Sequence, residues 1–249
     1  ASGSDDNTIR IWDLETGECL ATLERHTDIL RPVTIKSDGK RIPSGSHDNS
    51  VRVWDAGLWR ELLKLKGRKS SLLTVAALPR ELTDGFDSAF RLWDLTSGKC
   101  LMKIKCWTKG KDNVFSSAVN PAGTQAMSGH RYGSIRLWNL ETGECLATLK
   151  GHSDRVNSVQ ITPDGRFAVS GSGDKTVKVW DLEAGTCVGT LEGHQSYVYS
   201  VAISPDGTRI YVTEYFGNRV SMFSPAGVFL GSFGSGGAGP GQFDHPWGI

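Results

Sequence analysis

Residues 151–191 read GHSDRVNSVQITPDGRFAVSGSGDKTVKVWDLEAGTCVGTL, and this stretch decides the fold. Val156, Ser158, Gln160 and Thr162 alternate with Asn157, Val159 and Ile161, the period-two pattern of a strand. Pro163-Asp164-Gly165 follows as a turn. Arg166 to Ser172 reads as a second strand, ended by Gly173-Asp174-Lys175. Thr176 to Trp180 is a third, Asp181-Leu182-Glu183-Ala184-Gly185 turns the chain, and Thr186 to Leu191 is a fourth. Turn residues at such short, regular intervals predict an all-β meander.

The same unit recurs along the chain. Residues 9–23 read IRIWDLETGECLATL and residues 135–149 read IRLWNLETGECLATL, with looser copies at 51–65, 90–104 and 177–191. The marker residues Trp12, Trp54, Trp93, Trp138 and Trp180 are spaced 42, 39, 45 and 42 apart. A weaker sixth copy, VSMFSPAGVFLGSF at 220–233, carries Phe223 in place of Trp, 43 residues after Trp180. Glycines 17, 98, 143 and 185 share one repeat position, where the hairpin is expected to need positive φ. A lone four-stranded sheet cannot bury both of its faces. Radial stacking of such sheets buries them and leaves only short edges.

Composition agrees. Glycine makes up 30 of 249 residues, about 12% against a usual value of about 7%. With 28 Lys+Arg against 27 Asp+Glu, bulk electrostatics offers no attraction to nucleic acid or anionic membrane. The longest apolar run, Leu72 to Pro79, is far short of the roughly 18 residues a spanning helix needs, so no membrane is expected. The chain starts without a signal-peptide pattern.

These residues resemble the WD-repeat family of β-propellers over residues 1–204. Gly151-His152 precedes Trp180-Asp181, and Gly193-His194 opens the next unit. The resemblance implies a buried hydrogen-bond chain in each blade: a His before the first strand, a Ser of the second, an Asp of the following turn, and the Trp. The matching residues are His152, Ser170 (or Ser172), Asp174 and Trp180. His26, Ser44, Asp48 and Trp54 repeat the offsets, 22 from His to Asp and 6 from Asp to Trp. An imidazole can bridge carboxylate and hydroxyl while the indole N–H donates to the hydroxyl, pinning the loop to the sheet. From Ile210 onward the chain is similar instead to an NHL repeat, another four-stranded propeller unit. The run Gly217-Asn218-Arg219-Val220, a Phe-x-x-x-Gly turn, and Gly-Gln-Phe followed by Pro-Trp-Gly-Ile carry that likeness.

The expected architecture is one β-propeller over 1–249, with WD-type blades over 1–209 and an NHL-type blade over 210–249. Aligned by the repeat, Ala1 falls inside a second strand and Ile249 near the end of a first strand. This predicts six blades, with the terminal strands sharing one. The absent Met and the mid-strand ends predict a piece of a longer WD–NHL protein. Three units depart from the pattern. The 107–151 unit has Tyr132 where the Asp is expected and Trp107-Thr108 for Gly-His. The 68–106 unit keeps Asp87 and Trp93 but has Arg68 for His, and Pro43 interrupts a second strand in the 26–67 unit. These blades are expected to be looser.

Catalytic and cofactor chemistry find little footing. Cys19, Cys100, Cys145 and Cys187 share one outer-strand position, so neighbouring copies fall beyond disulfide reach. Free thiols fit a reducing, cytoplasmic setting. His47, His130 and His245 are scattered, without HExxH or His-x-His spacing, so no metal is expected. There is no Gly-x-Ser-x-Gly elbow, and the run GSGGAGPG at 234–241 lacks the Gly-Lys-Ser/Thr ending of a phosphate loop. No catalytic residue and no cofactor is assigned. The basic run Lys64, Lys66, Arg68 and Lys69 reads as a solvated edge.

In WD-type propellers, partners often bind the face that carries the loops entering the first strand and joining the second to the third. The equivalent positions here are Arg31, His47, Leu73, Phe86, Asn113, Phe115, Arg131, Arg155, Asn157, Tyr197, Tyr199 and Tyr215. Tyr, Phe and Arg are enriched in binding hot spots. The competing reading packs Tyr197, Tyr199 and Tyr215 at a blade junction. The expected function is a non-catalytic scaffold for a protein or peptide. The alternatives are RNA binding, as in some NHL propellers, a sensor or interaction module of a larger protein, and, more remotely, a metal-dependent enzyme using the central channel.

Overall fold

The computed structural model describes residues 1–4, 6–13, 15–16, 18–33, 39–65, 72–77, 81–85, 89–93, 99–105, 112–214, 216–236 and 242–243. Every regular element among them is a strand. Among the described residues no helix is long and apolar enough to cross a membrane. The chain divides into two compact units, Ala1–Val114 and Phe115–Ile249.

In the first unit, β1 (Ser2–Gly3), β2 (Thr8–Trp12) and β3 (Cys19–Glu24) form a three-stranded sheet. The next sheet is β4 (Leu30–Val33), β5 (Arg41–Ser46), β6 (Val51–Asp55) and β7 (Glu61–Leu65). A further sheet is β8 (Leu72–Ala77), β9 (Glu81–Gly85), β10 (Ala89–Trp93) and β11 (Cys100–Lys105). The second unit holds the sheet of β12 (Val114–Val119, beginning at the boundary), β13 (Gln125–His130), β14 (Ile135–Asn139) and β15 (Cys145–Leu149). It continues with β16 (Val156–Ile161), β17 (Phe167–Ser172), β18 (Val177–Asp181) and β19 (Thr186–Leu191). Then come β20 (Val198–Ile203), β21 (Ile210–Glu214), β22 (Val220–Phe223) and β23 (Phe229–Phe233), and last a short parallel pair, β24 (Ser235–Gly236) and β25 (Gln242–Phe243). Each larger sheet is an antiparallel meander in which every strand pairs with the next in sequence. β5 forms through Pro43, which pairs with Val53 of β6.

The turn chemistry is that of the sequence. Gly165 has φ of 73° and its N–H donates to Thr162 O at 2.8 Å, closing the Thr-Pro-Asp-Gly turn into β17. Gly143 and Gly185, at the shared hairpin position, have φ of 78° and 68°. Gly17 and Gly98 lie outside the described residues. The Asp that follows Trp12, Trp54 and Trp180 caps the next turn. Asp181 Oδ1 accepts the amides of Glu183 and Ala184 at 3.0 and 2.9 Å, and Asp55 Oδ1 those of Gly57 and Leu58, both at 2.8 Å. Asn139 accepts the amides of Glu141 and Thr142 in the same way.

Apolar residues gather between successive sheets of a unit. Ala168 and Trp180 join Met127, Ile135 and Leu137 in one cluster, whereas Val169 and Val179 join Val198, Val201 and Val212 in the next. The period-two alternation thus splits one sheet between two cores. Glycine in the second strands lets the sheets approach. A Cβ on Gly129 would lie 2.7 Å from Val156 Cγ1, and one on Gly171 would lie 2.4 Å from Val198 Cγ1. Cys19, Cys100, Cys145 and Cys187 are free and exposed on outer strands, and Cys106 lies outside the described residues.

Candidate functional site

Two side-chain systems stand out, one buried and one at the surface. In the buried one, the loop before β16 presents His152, β17 presents Ser170, the β17–β18 turn presents Asp174, and β18 presents Trp180. His152 Nδ1 lies 2.8 Å from Asp174 Oδ2, and its Nε2 lies 2.7 Å from Ser170 Oγ. The Trp180 indole N–H donates to the same Oγ at 2.8 Å. One proton arrangement satisfies every group. The indole donates to the serine, the serine hydroxyl donates to Nε2 of a neutral imidazole, and Nδ1–H donates to the carboxylate. Asp174 also accepts from the amides of Ser153 and Thr176, at 3.0 and 2.9 Å, which ties the incoming loop to the turn. Ser172 lies outside this chain, and its hydroxyl donates to Asp154 O at 3.0 Å.

His26, Ser44, Asp48 and Trp54 form the same arrangement in the first unit. The two imidazole bonds and the indole bond are each 2.9 Å. Burial pushes both the His26 and the His152 imidazoles below the ordinary histidine value, outweighing the nearby carboxylate that favours the charged form. Burial would raise Asp48, but hydrogen bonds from Ser50 and His26 outweigh it and hold its carboxyl at about 2. Asp174 is lowered too: burial opposes the shift, and the Thr176 hydroxyl and the neighbouring His152 prevail. These are shielded, satisfied groups fixed in the sheet; none presents a nucleophile or an acid to solvent.

Three other sheets carry variants. Trp12 Nε1 donates to Ser2 Oγ at 2.8 Å. In β12–β15, Trp138 donates to Ser128 Oγ at 2.8 Å, and that oxygen lies 2.7 Å from Nε2 of His130. His130 is thus no scattered residue. It sits two positions along the same strand, fully buried, and delivers an imidazole to the serine from within β13. Strand alternation puts residues 128 and 130 on one face, and that was the signal available in the sequence. In β20–β23, Val212 stands where Ser170 stands and Phe223 where Trp180 stands. Glu214, from the end of β21, reaches His194 Nδ1 at 3.1 Å and accepts the amides of Gln195 and Ser196 at 3.0 and 3.3 Å. Sequence reasoning missed this substitute because the carboxylate sits at the Ser172 position, on a side chain one methylene longer.

At the surface, Arg155 and Tyr197 come together: the guanidinium carbon lies 5.8 Å from the ring centroid. Tyr197 is 42% exposed. Asn157 is committed elsewhere, its amide donating to Val198 O at 2.8 Å across two sheets. Arg131 is exposed, with Tyr132 beside it. A Cβ on Gly133 would lie 2.3 Å from His152 O and 3.1 Å from Asp154 O, so the turn carrying Arg131 and Tyr132 abuts the loop carrying Arg155. Phe115, Tyr199, Asn113 and His47 are half-buried, the last two in the first unit. Phe86 and Tyr215 lie outside the described residues, as do the side chains of Arg31 and Leu73. Among the described residues, no group of three or more His, Cys, Asp or Glu is placed to hold a metal ion.

Four-stranded meanders locked by a His–Ser–Asp–Trp chain define all-β blades of the WD propeller type. The chain belongs to the WD40 family: the model of the WD domain, G-beta repeat, matches residues 1–13, 17–55, 98–139, 143–181 and 185–224. The matched segments are offset from the sheets by one strand; 17–55 joins β3 to β4, β5 and β6. The match omits 56–97, where the strands of β8–β10 still form, and it extends past Ser204 to residue 224. Among relatives, the Nuclear distribution protein nudF of Aspergillus flavus is 33% identical over 110 residues, 41% of this chain and 24% of that protein. Protein tipD of Dictyostelium discoideum is 28% identical over 132 residues, 52% of this chain and 21% of the relative. A Lissencephaly-1 homolog of Caenorhabditis briggsae is 45% identical over 42 residues, 17% of this chain and 11% of the relative. The chain thus spans about a quarter of the length of the curated relatives it matches.

Proposed function

We propose that the chain is a non-catalytic scaffold that displays Arg155, Tyr197 and Arg131, with Tyr132 beside them, to a protein or peptide partner. The observation that carries this reading is the Arg155–Tyr197 pair, in which a cation stacks on a solvent-exposed ring. Such pairs combine apolar area with charge and are favoured anchors of interfaces. The loop beneath is rigid: Gly173 N–H donates to Arg155 O at 2.9 Å, next to the Asp174 lock. Rigid display lowers the ordering cost of binding. The replacement of the blade's Asp by Tyr132 adds a second exposed ring on the abutting turn.

Three further assignments belong to this proposal. The chain forms one six-bladed propeller in which the terminal strands share a blade. Its C-terminal region from Ile210 is of NHL type, which the Val212, Glu214 and Phe223 substitutions support. It works in the cytoplasm, where the four exposed free thiols suit a reducing medium.

The test is affinity capture with the wild-type chain and with Tyr197→Ala/Tyr199→Ala and Arg155→Ala variants. The expected outcome is loss of a protein partner identified by mass spectrometry, with melting temperatures within a few degrees of wild type. Unchanged capture, or unfolding of the Tyr197→Ala/Tyr199→Ala chain, would overturn the reading.

A further inference from the structure

Three turns of the second unit lie side by side: 131–133 between β13 and β14, 153–155 before β16, and 173–175 between β17 and β18. Gly173 N–H donates to Arg155 O at 2.9 Å, and a Cβ on Gly133 would lie 3.1 Å from Asp154 O. The turns carry Arg131 and Lys175, both exposed, and the half-buried Arg155. Among the described residues none of these three cations forms an ion pair. The carboxylates of the same turns are bonded within the fold. Asp154 Oδ1 accepts the Arg155 amide at 2.7 Å, and Asp174 accepts the amides of Ser153 and Thr176 and holds His152. Exposed cations alone are ordinary solvated groups; the backbone of Lys175 sets this row apart. Its φ is 67°, and its N–H donates to Ser172 O at 3.2 Å. The equivalent turns place Asn7, Asn49 and Gly133 there, with φ of 69°, 63° and 77°. Asn and Gly enter left-handed backbone readily, and lysine does not. Among the described residues the Lys175 side chain makes no hydrogen bond that offsets this strain. A strained cation with no internal contact points to a use outside the fold.

We propose that this row of turns takes an acidic segment of a protein partner, whose Asp or Glu side chains pair with Lys175, Arg155 and Arg131. The inference rests on the scaffold reading above and adds the chemistry of the partner. Guanidinium groups hold carboxylates through two parallel bonds, and an ammonium acts as a point charge beside them. Arg155 is already held over the Tyr197 ring, which lowers the cost of ordering it. An apolar residue next to the acidic ones lies against Tyr132, whose ring is 69% exposed on the abutting turn. A peptide is favoured over a nucleic-acid strand because 28 Lys+Arg against 27 Asp+Glu leave no broad positive field to follow a phosphate backbone.

The full chain is immobilised and offered a pool of peptides with Glu on either side of a Leu and varied residues elsewhere, a matching pool with Gln for Glu, and single-stranded poly(U) RNA. The Glu pool is expected to be retained at least about fivefold better than the Gln pool, and the difference to shrink as salt rises from about 50 mM to about 300 mM. Lys175→Asn removes the charge and installs the residue type of the equivalent turns. It is expected to raise the melting temperature and yet to lower retention of the Glu pool by about threefold, a split that a merely structural lysine would not give. Arg131→Glu/Lys175→Glu is expected to abolish retention of the Glu pool. Equal retention of the two pools, undiminished retention in Lys175→Asn, or tighter binding of the RNA than of the Glu pool would overturn the proposal. The scaffold reading is separable from it. A lysate protein that Arg155→Ala loses, but that Lys175→Asn and added salt leave bound, would keep the scaffold and overturn the acidic partner.

Discussion

In β16–β19 both nitrogens of the His152 imidazole are bonded, the serine oxygen takes two partners, and an indole seals the loop against the sheet. In β20–β23 the imidazole of His194 is bonded at one nitrogen, the serine has become Val212 and the indole has become Phe223. The strands, the meander and the register are otherwise alike. The backbone plan therefore needs only the alternation of apolar residues and the turns. The hydrogen-bond chain is a lock added on top of it, and one blade can fold without the full lock. Where the second blade lacks the indole, a small pocket is lined by Gly193, His194 and Phe223.

The comparison can be broken most sharply at the marker position. Trp180→Ala removes a large, fully buried side chain and the donor to Ser170, and is expected to cost about 3–5 kcal/mol in denaturant unfolding. Phe223→Ala is expected to cost less, because its ring already borders open space. Equal losses at the two positions would contradict the lock. Next comes Ser170→Val, which imposes the β21 arrangement on β17. It orphans both His152 Nε2 and Trp180 Nε1, and a loss of about 2–4 kcal/mol is expected. Gly171→Ala probes the approach of neighbouring sheets, with an expected loss of about 1–3 kcal/mol from overpacking against Val198. At the equivalent position β21 carries Thr213, whose buried hydroxyl has no partner. Thr213→Val is accordingly expected to stabilise the chain by about 1 kcal/mol.

A last effect is that of pH. His26 and His152 are lowered in the folded chain, so between their folded values and about 6.5 the unfolded chain binds more protons. Their contribution is complete above about 6.5 and is lost as pH falls below it, by at most about 1.4 kcal/mol per pH unit for each group. The melting temperature is expected to drop between pH 7.5 and pH 5.5, and His26→Gln/His152→Gln to flatten that slope. Asp48, held at about 2, adds a separate loss only in the acid range below about 3.8.

Much of this was legible in the sequence, for physical reasons. Period-two alternation and Gly-containing turns specify strands locally, and a constant offset of 22 from His to Asp transfers to space because each repeat folds alike. Glu214 and Asn157 were not legible, because each acts through side-chain reach, and His130 was legible only through the strand alternation that puts it on the face of Ser128. His130 supplies from a strand what other blades supply from a loop. Glu214 spans with an extra methylene what Asp spans from the turn. Asn157 turns from the solvent face to a neighbouring carbonyl. The pairing of Arg155 with Tyr197 depends on the distance between two loops that are 42 residues apart, which the repeat sets only approximately.

The most direct test of the lock is amide hydrogen exchange of the intact chain, resolved by peptide and read by mass spectrometry at pH 7. Both sheets lie in the same unit, so each is an internal control for the other. Residues 156–191, with the complete chain of hydrogen bonds, are predicted to exchange at least about tenfold more slowly than residues 198–233. Equal protection of the two sheets, or slower exchange in β20–β23, would contradict the claim that the His–Ser–Asp–Trp chain locks a blade.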